Sequence, residues 1–188
     1  MLRRVIGALL ALFFLTACSQ TSVNSSGDTS YVAGDGSTIY LLPKDRGEVV
    51  KLSGRTLDET NLSTQTWLGQ VVVVNMWASW CGPCRSEATA LANSYKELHP
   101  FKVQFVGLNT RDGLAAARAF NNRFPTGYPS IQDQDGQLIL QFGNLGPAAT
   151  PSTIVLDRQG RIAARILGPI TQAQLRGIVN AVIEDKAS

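Results

Sequence analysis

The sequence predicts a mixed α/β domain in which one central mixed sheet is flanked by helices. Three observations carry this. Val71-Val72-Val73-Val74-Asn75-Met76-Trp77 is a nearly unbroken run of apolar, mostly β-branched residues, the composition of a strand buried on both faces. The segment after it has the period of an amphipathic helix. At about 100° per residue, Ala88, Leu91, Tyr95 and Leu98 all fall within about 40° of Cys84, with Arg85, Ser86, Asn93, Lys96 and Glu97 on the other side. The elements then follow in the order β-α-β-α-β-β-α, which suits a single sheet covered on both faces.

In chain order, Thr38–Leu42 and Val49–Leu52 are short β-prone runs, Ser53-Gly54-Arg55 reads as a turn before Thr56-Leu57, and Ser63 leads a helical turn to Leu68. After the central strand and its helix, Phe101–Leu108 is the next strand. Asp112 is placed to cap a helix from Gly113 to about Phe124. Ile131–Asp135 is a strand or a loop, and Gln137–Phe142 a short helix. Thr153–Leu156 and Arg161–Leu167 flank Asp157-Arg158-Gln159-Gly160, a hairpin signal. The last helix opens at Thr171 with Gln174 three residues on, a capping-box pattern, and buries Leu175, Ile178, Val179 and Val182. The chain has no internal repeat.

The N-terminus reads as an address. Arg3 and Arg4 precede an apolar run of 11 residues, Val5 to Leu15, the length of a signal-peptide core. It is too short for a bilayer core of about 30 Å, which takes about 20 apolar residues. Leu15-Thr16-Ala17-Cys18 resembles a bacterial lipoprotein cleavage box, which implies a signal peptide over residues 1–17 and acylation of Cys18. The bland alternative is an ordinary secretory signal with an incidental cysteine. Residues 18–36 are rich in Ser, Thr, Gly, Asn and Asp and read as a flexible lipid-anchored tether, although Tyr31 and Val32 are candidates to pack on the domain. The 18 residues from Ser19 to Gly36 reach roughly 60 Å when extended. Residues 37–188 form the globular domain.

Composition narrows the function. Hydrophobic residues make up 44% and charged residues 16%, which is globular. The net charge is +3, and loss of Arg3 and Arg4 with the leader leaves +1, far too little for nucleic-acid binding. Three Cys and one His, His99, cannot build a four-ligand zinc site once Cys18 is set apart, so no metal or other cofactor is expected. His99 reads as a surface residue near the end of the helix.

Chemistry concentrates at Trp80-Cys81-Gly82-Pro83-Cys84, where the buried strand gives way to the helix. Cys81 falls at the helix N-terminus, whose free N–H groups and positive dipole end stabilise a thiolate. Cys84, three residues on, can reach the roughly 5.5 Å Cα separation of a disulfide, and it points along the apolar arc as the more buried, resolving thiol. Pro83 suits a first turn because its missing N–H is not needed there. Gly82 leaves room for a partner chain. A static structural disulfide is a poor alternative, since so small a loop gains little from restricting the unfolded chain.

Val72 through Arg85, read as a strand, Trp-Cys-Gly-Pro-Cys and a helix, resembles the active-site segment of thioredoxin-fold proteins. It is most similar to the ResA/TlpA-type extracytoplasmic thiol-disulfide oxidoreductases, especially actinobacterial ones linked to cytochrome c maturation. The likeness runs from about Val50 to the C-terminus. It implies a thioredoxin fold with an N-terminal β-hairpin, a central insertion near residues 112–136, and a cis bond at Thr150-Pro151 in a loop facing the cysteines that offers backbone groups to an extended partner. Asn75 stands where thioredoxin carries a buried Asp, so the proton-handling acid is elsewhere or absent. Glu87 is the candidate: it lies about 60° from Cys84 on the wheel, at the edge of the apolar arc, where desolvation raises a carboxyl pKa. The alternative is a solvated acid paired with a neighbouring cation. Trp80 shapes the docking surface, or is simply a partly exposed aromatic.

The function expected from these residues is a membrane-tethered protein-disulfide reductase with Cys81, Cys84 and Glu87 as its chemical groups and Trp80, Gly82, Pro83, Thr150 and Pro151 at its substrate surface. The resemblance implies apocytochrome c as substrate and a membrane thiol-reductase as electron donor. An oxidant that installs disulfides in secreted proteins uses the same residues in the opposite direction. A non-enzymatic lipoprotein binding module is a further alternative. A peroxiredoxin-type peroxidase would need a reactive cysteine without the close second one.

Overall fold

The computed structural model describes residues 29–31, 38–147 and 149–185; the leader, Cys18 and most of the tether lie outside the described residues. The elements are β1 (Thr29–Tyr31), β2 (Thr38–Leu41), β3 (Ser53–Arg55), β4 (Asn61–Ser63), β5 (Val71–Trp77), α1 (Gly82–Leu98), β6 (Val103–Thr110), α2 (Leu114–Arg123), β7 (Ser130–Asp133), β8 (Ser152–Leu156), β9 (Ile162–Leu167) and α3 (Gln172–Glu184). Seven strands form one sheet in the order β1-β2-β9-β8-β5-β6-β7, and β3 and β4 form a separate hairpin. β5, β6 and β7 run parallel, while β8, β9, β2 and β1 alternate in direction.

The apolar run of β5 does what its composition requires: all seven residues are buried. Strand alternation sends Val71 and Val73 to one side, where they pack with Leu91 and Leu98 of α1 and Leu175, Val179 and Val182 of α3. Val72, Val74 and Met76 face the opposite side, against Val50, Leu52 and Phe142, the last on a 3-10 segment, Leu138–Leu145. Burial of each such side chain contributes roughly 1.5–3 kcal/mol, so this one strand anchors both halves of the core. The capping box at Thr171 and Gln174 forms in both directions.

Four expectations are corrected. Ser53-Gly54-Arg55 is strand β3 rather than a turn; the reversal lies between Arg55 and Asn61, where Glu59 takes a φ of 63°. Val49–Leu52 forms no strand: Val49 makes a single bridge to Arg161 while Val50 and Leu52 are buried. The strand after α1 begins at Val103, because His99–Phe101 forms a 3-10 turn closed by Lys102 in the left-handed region. Thr29–Tyr31, assigned to the tether by composition, pairs with β2 and extends the sheet, since β2 has an open edge there. At the other margin, Thr56 bridges to Ile131 and the Leu57 N–H donates to the Ser130 carbonyl, so the hairpin unit covers β7.

Gly107 of β6 is a position where only glycine fits, because a Cβ there would collide with Ser130 and come within 2.7 Å of Trp77 Nε1. Far from the cysteines, buried Arg46 joins the N-terminal segment to the rest of the fold by pairing with Asp157 at 3.2 Å and with Asp185, which also accepts from the Tyr40 hydroxyl.

Candidate active site

β5 ends at Trp77, and four residues later Cys81 becomes the N-cap of α1. Gly82 and Pro83 occupy the first turn, and the Cys84 N–H donates to Cys81 Sγ at 3.1 Å. The two cysteines form a disulfide with a Cα–Cα distance of 5.3 Å. Gly82 and Pro83 are exposed, and nothing lies within 4 Å of where a Gly82 Cβ would point. Burial does not separate the two sulfurs as the helical wheel suggested: each cysteine is 3% exposed, because Cys81 also sits in a cluster with Leu57, Trp77, Ala78 and Ala117. What distinguishes Cys81 is its place at the helix N-terminus.

Glu87, one turn along α1, is 2% exposed. Its Oε1 accepts from Asn75 Nδ2 at 2.8 Å and its Oε2 from the Ile170 N–H at 3.0 Å. Burial pushes its pKa up to about 7, against the pull of these two donors. The solvated, cation-paired alternative is thereby excluded. Asn75 was legible only as a missing acid; its amide is the group that orients Glu87, and an uncharged polar residue inside an apolar strand is a signal that such a partner exists. Ile170, 83 residues away in sequence, left no such signal.

On the other side of the strand–helix junction stands Asp112. It does not cap α2, whose N-cap is Gly113 with no side-chain cap bond. Asp112 accepts instead from the Ser79 N–H at 2.6 Å, Ser79 Oγ at 2.8 Å and Asn109 Nδ2 at 3.0 Å. Burial raises its pKa, but these donors and the Gly113 N–H outweigh it and hold the carboxyl below the usual range. Trp80 is 63% exposed and donates from Nε1 to the Arg111 carbonyl at 3.2 Å.

The Thr150–Pro151 bond is cis. Pairing of Met76 with Ser152 sets Pro151 at the C-terminal end of β5, the end that leads to the cysteines. A groove of about 360 Å³ opens beside this loop, lined by Met76, Trp80, Thr110, Arg111, Ile139 and Thr150 among others. Thr110 Oγ1 and Thr150 Oγ1 have no hydrogen-bond partner among the described residues. His99 lies 4.8 Å from the Tyr95 ring, at the far end of α1 from the cysteines.

The AhpC/TSA family model matches residues 46–165. The chain belongs to the AhpC/TSA family. The thiol-disulfide oxidoreductase ResA of Bacillus subtilis (strain 168) is 25% identical over 178 residues, 94% of this chain and 90% of the relative. Among solved structures, a DsbF homologue from Corynebacterium diphtheriae is similar with a TM-score of 0.73 and 31% identity, covering 81% of this chain and 98% of that one. A secreted thiol-disulfide isomerase from Corynebacterium glutamicum gives 0.74 and 30%, covering 82% and 96%.

This AhpC/TSA-family protein is a thiol-disulfide oxidoreductase of the ResA/DsbE type, with a mixed α/β fold matching thioredoxin-fold neighbours. A helix terminus that favours a thiolate and a second thiol three residues away can carry out reversible dithiol–disulfide exchange. In a member of this family so equipped, the carboxyl that titrates near neutrality is Glu87 and the one that stays ionised is Asp112.

Proposed function

We propose that the protein works outside the cytoplasm, held to the cell membrane through an acylated Cys18, and reduces disulfides of secreted proteins such as apocytochrome c. The reduced pair is the active form. The Cys81 thiolate attacks one sulfur of a partner disulfide; that S–S bond breaks, and the departing partner thiolate takes a proton. Cys84 then gives its proton to the Glu87 carboxylate and attacks Cys81, releasing the second partner thiolate. Two electrons pass to the partner, and the Cys81–Cys84 bond is restored. A membrane thiol-reductase resupplies the electrons. Trp80, Gly82, Pro83, Thr150 and Pro151 form the surface on which the partner chain lies.

The observation that carries this reading is the Cys81–Cys84 pair at an open, glycine-containing helix tip, beside a groove and in front of a carboxyl with a pKa of about 7. The secreted and ResA-type relatives support the compartment. The test is a Cys84→Ser trap in the full chain, combined with the reduction potential of the wild-type pair. A reducing potential with apocytochrome c captured on Cys81 is the expected result. An oxidising potential with varied secreted clients would reverse the direction, 30 mV corresponding to about 1.4 kcal/mol. Absence of any trapped client and of insulin reduction would leave a binding module. Cys18→Ser should release the protein from membranes; a variant that stays bound removes the anchor from the proposal.

A further inference from the structure

Ser79 and Trp80 carry the chain from β5 to Cys81, and both are gripped by the β6–α2 loop. Asp112 takes the Ser79 N–H and hydroxyl together, and the neighbouring Arg111 carbonyl takes the Trp80 indole. Arg111 holds a φ of 50°, a left-handed conformation that a non-glycine residue keeps where its surroundings over-determine it. Asn109 donates to Asp112 from the end of β6 and so fixes the carboxylate itself. An Asp just before a helix ordinarily serves that helix; here it serves the approach to another one.

We infer that Asp112 is a positioning residue for Cys81, bracing Ser79 and Trp80 so that the sulfur stays at the N-cap of α1. The inference rests on reading Cys81 as the attacking thiol. The brace and the charge of Asp112 act in opposite senses. A nearby anion disfavours the Cys81 thiolate, whereas holding the sulfur on the helix N–H groups favours it. The other ionisable groups on the elements around Cys81 are Cys84, Arg85, Glu87, Tyr95, Lys96 and Glu97 on α1, Arg111 beside Asp112, Arg118 and Arg123 on α2, and Asp58 and Glu59 after Leu57. Leu57, Leu114 and Ala117 supply apolar packing against the cysteines.

The opposed signs make the test decisive. The full chain is reduced with excess dithiothreitol, the reductant is removed, and Cys81 alkylation by iodoacetamide is followed across pH by peptide mass spectrometry in wild type, Asp112→Asn, Asp112→Ala and Ser79→Ala. Asn keeps an oxygen acceptor for Ser79 and drops the charge, while Ala drops both. The expected result is a Cys81 pKa in Asp112→Ala above the wild-type value by about half a unit or more, with Asp112→Asn at or below wild type and Ser79→Ala raised by less. Equal lowering in Asn and Ala would mean charge alone and overturn the inference. So would an unchanged Cys81 profile in variants that merely melt at lower temperature. If Asp112→Ala does not fold, an unchanged profile in Ser79→Ala overturns it equally. A wild-type Cys81 that titrates near the ordinary value of about 8.5 defeats the nucleophile reading itself, separately from any comparison of variants.

Discussion

Glu87 and Asp112 are both buried carboxyls on elements next to the same cysteine pair, yet their acidities are displaced in opposite directions. Burial raises both. Glu87 has two N–H donors to set against it, from Asn75 and Ile170, and burial prevails. Asp112 has four, from Asn109, the Ser79 backbone and hydroxyl, and Gly113, and the donors prevail. Deeper burial with two donors leaves Glu87 able to exchange a proton near neutrality, while shallower burial with four donors keeps Asp112 a fixed anion. The protein thus keeps a titrating group behind the cysteines and a permanently charged brace ahead of them.

That contrast can be broken experimentally. The largest expected effect is on exchange chemistry: Glu87→Gln should slow resolution of the mixed disulfide at pH 7 by about 100-fold and flatten its rise through pH 7, measured by stopped-flow release of a trapped substrate. Next is the pH dependence of stability. The folded pKa of Glu87 lies above its unfolded value of 4.5, so its contribution is full below about 4.5 and is lost as pH rises through about 7. Wild type should therefore lose about 3 kcal/mol relative to Glu87→Gln across that window, measured by urea unfolding at a series of pH values. Asn75→Ala removes one of only two donors and should lift the Glu87 pKa above 7 by about one unit, read by carboxyl NMR. Asn109→Ala, the smallest effect, removes one donor of four and should leave Asp112 ionised down to the ordinary carboxylate range. A large displacement there would show that the donors are not shared as the geometry implies.

Much of this was readable from residues alone where the cause is local. The β5 run, the cysteine spacing, the Thr171 capping box and the turn at Asp157–Gly160 each express a short-range rule, and each appears in the fold. β3 and β4 were not readable because three-residue strands have too little alternation, and tertiary pairing sets them. Asp112 was misassigned because the local capping rule competes with a partner 33 residues away. Glu87 could be placed at the edge of an apolar arc, but its full burial depends on the Ile170 backbone arriving from the start of α3. Equal burial of the two sulfurs likewise depends on Leu57 and Ala117, which no helical wheel contains.

The short strand Thr29–Tyr31 also bears on how the protein can be handled. With β1 in place and the Thr56–Leu57 segment laid along β7, neither margin of the sheet offers a long free ladder among the described residues. A chain cut at residue 37, where composition alone sets the domain boundary, would bare the backbone of Thr38-Ile39-Tyr40-Leu41. Such an apolar rim is a template onto which a second copy can add its own strand, and Thr29–Tyr31 covers it.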